Sequence, residues 1–228
     1  MNLIRKALFF MSAFTAVGTQ AAPIFNLFEL GVAEGQNAYY DQIAEQNIRT
    51  SMANEPGTLA MMSLKAAENP QLAYMLEIYA DEAAYQIHRN SPQYQKFAQA
   101  APQILTAHKV RTALDPQFLA DKPLPMGKKL QVNLVRVTVK PEQNAAFKAI
   151  VLEEMAQSIK AETGVLAMYA GSGQNAPNQW VFLEVFTDDN SHLAQYFAQT
   201  VEMLEQKTFV PVQASELGNQ GKLRFSVK

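Results

Sequence analysis

Residues 74–94 read YMLEIYADEAAYQIHRNSPQY and carry three structural signals in order. The part up to Tyr79 is an apolar and aromatic run of the kind that forms strands. Asp81 is suited to cap a helix that follows it, and Ser91-Pro92 is suited to begin another. The stretch therefore predicts one strand followed directly by two helical segments.

The same pattern recurs in the second half of the chain. A constant shift of 107 residues aligns identical residues, namely Asn26 with Asn133, Glu55 with Glu162, Glu77 with Glu184 and Asp81 with Asp188. Because one shift holds over most of each half, we interpret the chain as a tandem duplication. Each half reads β-α-β-β-α-β, the order of a ferredoxin-like unit. We predict an α+β fold in which two tandem ferredoxin-like (βαββαβ) repeats close into an intramolecular α/β-barrel pseudo-dimer.

The predicted organisation has four segments: a signal peptide at residues 1–22, a first repeat at 23–114, a proline-rich linker at 115–128 and a second repeat at 129–228. Each repeat is expected to end in a short closing strand, at His108–Leu114 and at Lys222–Val227. In the second repeat, the last strand is expected to follow a helix over Asp189–Gln206.

The first 22 residues resemble a secretory signal. Arg5 and Lys6 precede an apolar run at residues 7–17, and small residues precede a cleavage site after Ala21 or Ala22. We expect a soluble protein exported across the inner membrane, most simply to a periplasm. A short N-terminal membrane anchor is the alternative interpretation of the same residues.

Composition excludes several classes of function. The 228 residues are 48% hydrophobic and 18% charged, with a formal net charge of −2, which gives no field for holding nucleic acid. The absence of cysteine excludes disulfides, zinc knuckles, iron–sulfur clusters and thiol catalysis. After the signal, no apolar run is long enough to span a bilayer, so we expect no stable membrane anchor after processing.

The repeat resembles the antibiotic biosynthesis monooxygenase (ABM) domain of the dimeric α/β-barrel superfamily. The resemblance rests on residues 74–94, with a strand Glu77, an aromatic residue, Asp81, a helical His88 and then Ser-Pro before an aromatic residue. Glu55-Pro56-Gly57, before the second strand, also fits. The second half lacks the Ser-Pro, and Gln195 stands in place of His88.

The resemblance implies a cofactor-independent oxygenase, similar to the small quinol monooxygenases, that acts on a small electron-rich aromatic substrate with O₂. Such a protein needs a dry cavity, a base and a donor for the phenolate, and no metal or other cofactor. His88 and Glu77 are the candidate catalytic residues. The three histidines, at positions 88, 108 and 192, show no metal-ligand spacing.

Strand alternation predicts which side chains line the barrel lumen. We place Phe28, Leu30 and Val32 under the helices and Glu29 and Arg136 in the lumen. The predicted substrate-binding residues in the lumen are Glu29, Tyr79, Arg136, Trp180, Phe182 and Glu184. Glu29 is then expected to approach Glu77, and Arg136 to pair with Glu184.

Alternatives remain open at this stage. His88 is equally suited to a polar surface or capping role, Glu77 and Glu184 to ion pairs, and Trp180 to the core. The whole protein is also compatible with a non-enzymatic role in binding a small hydrophobic ligand. A haem-binding or haem-degrading protein fits less well, because Ala98 stands where the haem-degrading relatives have their histidine. The duplication replaces the usual homodimer, although a further homo-oligomer stays compatible with it.

Overall fold

The computed structural model describes residues 22–124, 130–187, 200–221 and 223. The predicted signal peptide, except its last residue, lies outside the described residues. So do most of the helix expected at Asp189–Gln206 and all of the strand expected at Lys222–Val227 except Leu223.

The first repeat contains four strands and three helices in the predicted order. Its elements are β1 (Ile24–Val32), α1 (Asn37–Asn54), β2 (Thr58–Ala66), β3 (Leu72–Tyr79), α2 (Glu82–Arg89), α3 (Pro92–Ile104) and β4 (Leu105–Asp121). The two predicted helix starts are confirmed: the Asp81 side chain accepts a hydrogen bond from the Ala84 amide, and Ser91 accepts one from the Tyr94 amide.

The described part of the second repeat follows the same order. Its elements are β5 (Leu130–Val139), a short 3₁₀ helix (Pro141–Gln143), α4 (Asn144–Ala161), β6 (Val165–Gly173), β7 (Ala176–Thr187), a second 3₁₀ turn (Val201–Met203) and β8 (Leu204–Asn219). The helix expected to continue to Gln206 therefore ends earlier, and a strand missed by the sequence patterns follows it.

The eight strands of the described residues form one closed antiparallel barrel in the order β1-β3-β2-β8-β5-β7-β6-β4. The long strands β4 and β8 each serve both repeats. β4 pairs first with β1 and then, from Leu114 onward, with β6 of the second repeat. β8 pairs with β5 as far as Pro211 and from Val212 onward with β2 of the first repeat. The predicted intramolecular pseudo-dimer is confirmed, and the two repeats exchange the ends of their last strands.

The first half of the expected linker is part of a strand. Asp115–Asp121 was expected to be linker, but these residues are the second half of β4. Pro116 lies next to a register shift between Pro116 and Phe118, where the ladder is already interrupted. A proline at that point is compatible with a continuous strand.

The barrel lumen is packed with apolar side chains from both repeats. This core includes Phe25 and Leu27 from β1, Leu76 and Ile78 from β3, and Tyr169 from β6. Leu30 and Val32 lie on the other face, beneath α1 and α3, as predicted. Among the described helices, none is both long enough and apolar enough to cross a membrane.

The predicted lumen orientation of the third strands is wrong. Leu76 and Ile78 face the lumen, so Glu77 and Tyr79 face the helices of the first repeat. In β7, Val181, Leu183 and Val185 occupy the lumen instead of Phe182, Glu184 and Phe186. Residues 73–79 of β3 are all buried, and a strand covered on both faces has no apolar-polar alternation to reveal its orientation.

Candidate active site

A cavity of about 660 Å³ lies in the first repeat, between the outer face of the sheet and helices α2 and α3. Strands β1, β3 and β4 form its floor, with Phe28 and Met75 among the apolar contributors. The helices form its walls through Tyr85, Tyr94 and Phe97. The cavity is of the size that commonly holds a small organic ligand. It is not in the lumen, where the sequence analysis placed the site.

Glu77 is a buried carboxyl in the wall of this cavity. It is 7% exposed, and the Tyr79 hydroxyl donates a hydrogen bond to its Oε2 at 2.9 Å. Burial raises the pKa of Glu77 above its usual value, while His88, Tyr79 and Arg111 oppose part of that shift. The pKa of Tyr79 is raised well above its usual value, first by burial and then by the neighbouring Glu77 charge. Glu77 is therefore a better base than an ordinary glutamate once it is ionised.

His88 is fully buried behind the cavity wall, at 0% exposure, so the surface or capping role that was left open for it is wrong. Its ring packs between Tyr79 and Tyr94, with centroid distances of 5.3 and 5.1 Å. His88 Nδ1 lies 3.1 Å from Glu55 Oε2 and 3.3 Å from Ser51 Oγ. His88 is not among the residues that line the cavity.

Glu55 fixes the orientation of the His88 ring. Burial acts to raise the pKa of Glu55, but hydrogen bonds from His88 and Thr58 outweigh it and lower that pKa below its usual value. Glu55 is thus ionised near neutral pH and can only accept hydrogen bonds, so His88 Nδ1 carries the proton. A carboxylate that orients an imidazole in this way sets which ring nitrogen is free. In the neutral ring, Nε2 keeps its lone pair, and this buried atom has no hydrogen-bond partner in the part of the chain that the structure describes.

Two buried asparagines near the cavity also carry polar atoms without partners among the described residues. Asn47 lines the cavity and is 3% exposed, and its Oδ1 accepts no hydrogen bond from that part of the chain. Asn26 lies opposite Glu77 in the β1–β3 ladder, and its Nδ2 donates to no described acceptor. The Oδ1 of Asn26 accepts a hydrogen bond from Arg111 Nε at 3.1 Å. Buried polar groups are normally satisfied, so these atoms are suited to contact a polar ligand.

The equivalent positions of the second repeat differ in chemistry. Glu184 corresponds to Glu77, but Phe186 replaces Tyr79 and has no hydroxyl to donate. Burial raises the pKa of Glu184 to about 8, with a hydrogen bond from Asn133 acting against the shift. Phe209 of β8, opposite Val135, takes the place of Arg111 of β4, opposite Phe28. The residues that gather around Glu77 are therefore not reproduced around Glu184.

The two predicted carboxylate contacts are also wrong. Glu29 lies opposite Tyr74 in the sheet, on the face away from Glu77. Its carboxylate instead contacts Arg136 at 3.1 Å and His108 at 2.8 Å, which joins the two repeats at one mouth of the barrel. Arg136 does not pair with Glu184, because Glu184 points to the helix side of its own strand.

Trp180 and Phe182 belong to the core of the second repeat, not to a substrate site in the lumen. Their rings stack at 5.8 Å with an 8° interplanar angle. Trp180 Nε1 donates to Asn144 Oδ1 at 2.8 Å, which anchors β7 to the start of α4. The core alternative for Trp180 is confirmed.

Several residues of the site were not singled out from the sequence. They are Asn47, Ser51, Glu55, Gln93 and Arg111, which reach the site from α1, the loop after it, α3 and β4. Glu55 had one available signal, because the duplication keeps a glutamate at both equivalent positions. The others are ordinary polar residues whose proximity depends on how the helices pack.

The described residues contain no group of three or more His, Asp or Glu side chains arranged to hold a metal ion. Ala98, at the position where the haem-degrading relatives have histidine, lines the cavity and offers no ligand atom for a haem iron.

Several solved structures resemble nearly the whole chain. A candidate monooxygenase from Lactobacillus acidophilus NCFM is 25% identical, with a TM-score of 0.81 over 88% of this chain and 97% of that one. A candidate monooxygenase from Fusobacterium nucleatum is also 25% identical, with a TM-score of 0.83 over 91% of this chain and 99% of that one. An anthrone oxidase-like protein, 8% identical with a TM-score of 0.54, covers 89% of this chain and 95% of its own, and shares the fold alone.

No curated protein matches the chain. The antibiotic biosynthesis monooxygenase family matches it twice, over residues 23–100 and 131–203, which correspond to the two repeats. With its two family domains, its closed barrel and its full-length structural relatives, the chain belongs to the antibiotic biosynthesis monooxygenase family.

Proposed function

We propose that this protein is an exported, cofactor-independent monooxygenase that oxidises a quinol or another electron-rich phenol in the cavity of the first repeat. The observation that supports this most directly is the Glu77 carboxyl, buried in the wall of a ligand-sized cavity with its pKa raised. Family membership supports the same reaction class. The second repeat acts as scaffold, since it lacks the counterparts of Tyr79 and Arg111.

In the proposed reaction, ionised Glu77 accepts the proton of a substrate hydroxyl. The resulting phenolate gives one electron to O₂, and the radical pair combines at a ring carbon, ortho or para to the oxygen, that carries hydrogen. Glu77 returns its proton to the peroxide. Loss of water from that hydroperoxide leaves a quinone, so one phenol and one O₂ give one quinone and one water, and a hydroquinone gives a hydroxyquinone and one water. The apolar floor of the cavity keeps bulk water away from these charged species. Asn47 Oδ1 is placed to accept a hydrogen bond from a second substrate hydroxyl.

His88 has a positioning role in this proposal. It does not line the cavity, but its proximity acts against the rise in the pKa of Glu77, and its ring packs against Tyr79, the hydrogen-bond donor to Glu77. His88→Asn is expected to move the pH dependence of turnover as well as its rate, because it alters the proton affinity of Glu77. A rate loss with an unchanged pH profile contradicts this role.

The decisive measurement is O₂ consumption by the purified protein with a panel of hydroquinones and phenols and no added cofactor. Turnover is expected, and Glu77→Gln is expected to lower kcat about a hundredfold or more, the usual contribution of a positioned base. Activity of the native protein should rise with pH through an apparent pKa above that of an ordinary glutamate. Glu184→Gln is the matched control, because it makes the same substitution at the equivalent position of the second repeat.

Inactivity across the panel, together with tight binding of the same compounds, favours the second candidate function, the binding of a small hydrophobic ligand. The apolar cavity floor supports this alternative as well. Full activity of Glu77→Gln would retain the reaction class and remove Glu77 as its base.

Export is a separate part of the proposal and rests on residues 1–22. Expression of the full chain in a Gram-negative host is expected to give a periplasmic protein whose N-terminus is Ala22 or Pro23. An uncleaved protein that stays with the inner membrane contradicts this and favours an N-terminal anchor.

A further inference from the structure

The mouth of the first-repeat cavity carries three cationic side chains. Arg89 projects from α2, while Lys109 and Arg111 project from the same face of β4. The guanidinium carbons of Arg89 and Arg111 each lie 5.8 Å from the centre of the Tyr85 ring, so the two cations flank one aromatic wall.

This positive charge exceeds the negative charge of the described carboxyl groups in the cavity lining. None of the three cations lies within ion-pair distance of a described carboxylate, and Arg111 Nε donates to the neutral oxygen of Asn26. The cavity lining contains two acidic residues. Glu82 accepts a hydrogen bond from Gln86, and burial raises the pKa of Glu77, so three cations face two carboxyl groups in this lining. The protein as a whole has a formal charge of −2, so a cationic mouth is a local feature.

The inner part of the cavity is apolar. Its floor and walls are apolar or aromatic, with Phe28, Leu30, Met75 and Phe97 among them. A ligand that fits both parts has an aromatic ring for the interior and an anionic group for the mouth. A guanidinium binds a carboxylate through two parallel hydrogen bonds, which also fixes the direction of the ligand.

We infer that the substrate of this cavity is an anionic aromatic, a phenol or hydroquinone whose ring carries a carboxylate that binds at Arg89, Lys109 and Arg111. This rests on the proposed function for the site and adds the substrate class. The carboxylate stays at the mouth and the hydroxyl-bearing edge points inward toward Glu77 and Asn47.

The test compares a hydroquinone carboxylate with its uncharged carboxamide by titration calorimetry on the complete protein without O₂. The acid is expected to bind at least about tenfold more tightly than the amide, as a charge-assisted contact provides. This preference should weaken as salt is raised, because the mouth is exposed to solvent.

Arg111→Gln and Arg89→Gln should each lower the ratio of the two affinities several-fold, while Arg111→Lys should keep part of it because the charge remains. Lys148→Gln, which removes one exposed positive charge on α4 of the second repeat, is the matched control and should leave the ratio unchanged. Arg89 is an exposed helix residue, so its variant is expected to fold even if the Arg111 variant does not.

The outcomes separate this inference from the proposed function. Equal affinity for acid and amide, or a preference that survives all the Arg substitutions, overturns the inference even if neutral hydroquinones are oxidised. A charge-dependent preference without any O₂ consumption supports the inference about the ligand and overturns the oxygenase reaction.

Discussion

At the scale of single residues, the buried pair Glu55 and His88 decides how the candidate site is organised. A buried imidazole needs a partner, and Glu55 supplies one while also accepting hydrogen bonds from Thr58 and Gln93. Since the pKa of Glu55 is lowered, its charged form is favoured more strongly in the folded protein than in the unfolded chain. The pair therefore contributes to stability as well as to the orientation of the ring.

Glu55→Gln is expected to lower the free energy of unfolding by about 1–3 kcal/mol near pH 7. The contribution of Glu55 is fully present above the pKa of an unfolded glutamate and is lost as pH falls through the lower pKa of the folded state. The cost of the substitution should therefore shrink toward pH 3. Urea denaturation of both proteins across this range measures it, with exposed Glu34→Gln as control. A cost that does not change with pH contradicts the assignment.

For Glu184 we expect the contribution to stability to depend on pH in the opposite direction. Its pKa is raised to about 8 in the folded state, so it contributes stability at low pH that is lost as pH rises from the ordinary glutamate value toward 8. In that window wild-type stability relative to Glu184→Gln should fall by about 1.4 kcal/mol per pH unit. Thermal unfolding of the two proteins between pH 5 and 8 tests this, since the melting temperatures should diverge in favour of the variant. Glu153→Gln, at an exposed position, is the control, and its melting temperature should follow that of the wild type across this pH range. If Glu184→Gln does the same, burial of Glu184 does not affect stability in this way.

At the scale of elements, sequence patterns predicted helices best where a capping signal marks the start. The starts of α2 after Asp81 and of α3 after Ser91 match the predicted positions. β3 was located correctly, but its orientation was not, because both of its faces are buried. Family resemblance pointed to Glu77 and His88 as site candidates. The residues that surround them could not be predicted, because they depend on which face of β3 points to the helices.

The long strands were missed for a different reason. Proline normally interrupts a strand, so Pro116 favoured a linker at residues 115–128. In the fold, Pro116 of β4 and Pro211 of β8 each lie close to the point where the strand leaves one repeat and joins the other. No local pattern carries that information, because the second pairing partner comes from the other half of the chain.

Helix α2 packs closely over Gly57, where there is no room for a side chain. A Cβ at this position would lie 2.4 Å from the Cβ of Ala84, in the first turn of the helix that carries Tyr85 and His88. Gly57→Ala should therefore displace α2, cost about 1–3 kcal/mol of stability and weaken ligand binding in the cavity.

Thermal unfolding and calorimetric titration of Gly57→Ala measure both effects. The double variant Gly57→Ala, Ala84→Gly removes the colliding atom and should recover part of both, apart from about 1 kcal/mol for glycine inside a helix. If the double variant is simply the sum of the two single losses, close packing of α2 is not the cause.

At the scale of the whole molecule, the two repeats form a single folding unit. They share the lumen core, and each repeat supplies a strand segment to the sheet of the other. Gln220, just after β8, donates hydrogen bonds to the carbonyls of Met52 and Thr58, on either side of Glu55. Lys122, just after β4, donates to the Glu162 carbonyl in the second repeat. Through Gln220, the second repeat thus stabilises the loop that positions His88.

We expect one cooperative unfolding transition. Trp180, the only tryptophan, reports on the second repeat by fluorescence, while far-ultraviolet circular dichroism reports on all elements. Glu55→Gln, a substitution in the first repeat, should shift both transitions equally. A tryptophan transition that stays at the wild-type midpoint while the dichroism shifts would show that the repeats unfold separately.

Because one polypeptide forms the whole barrel, dilution should not open it. A barrel assembled from two separate chains loses its partner strands once the concentration falls below the dissociation constant of the dimer. Here both halves of the barrel come from one polypeptide, so closure is an intramolecular event. Each molecule then carries one Glu77 position and one Glu184 position in a fixed ratio, and the closure of the barrel stays independent of the protein concentration.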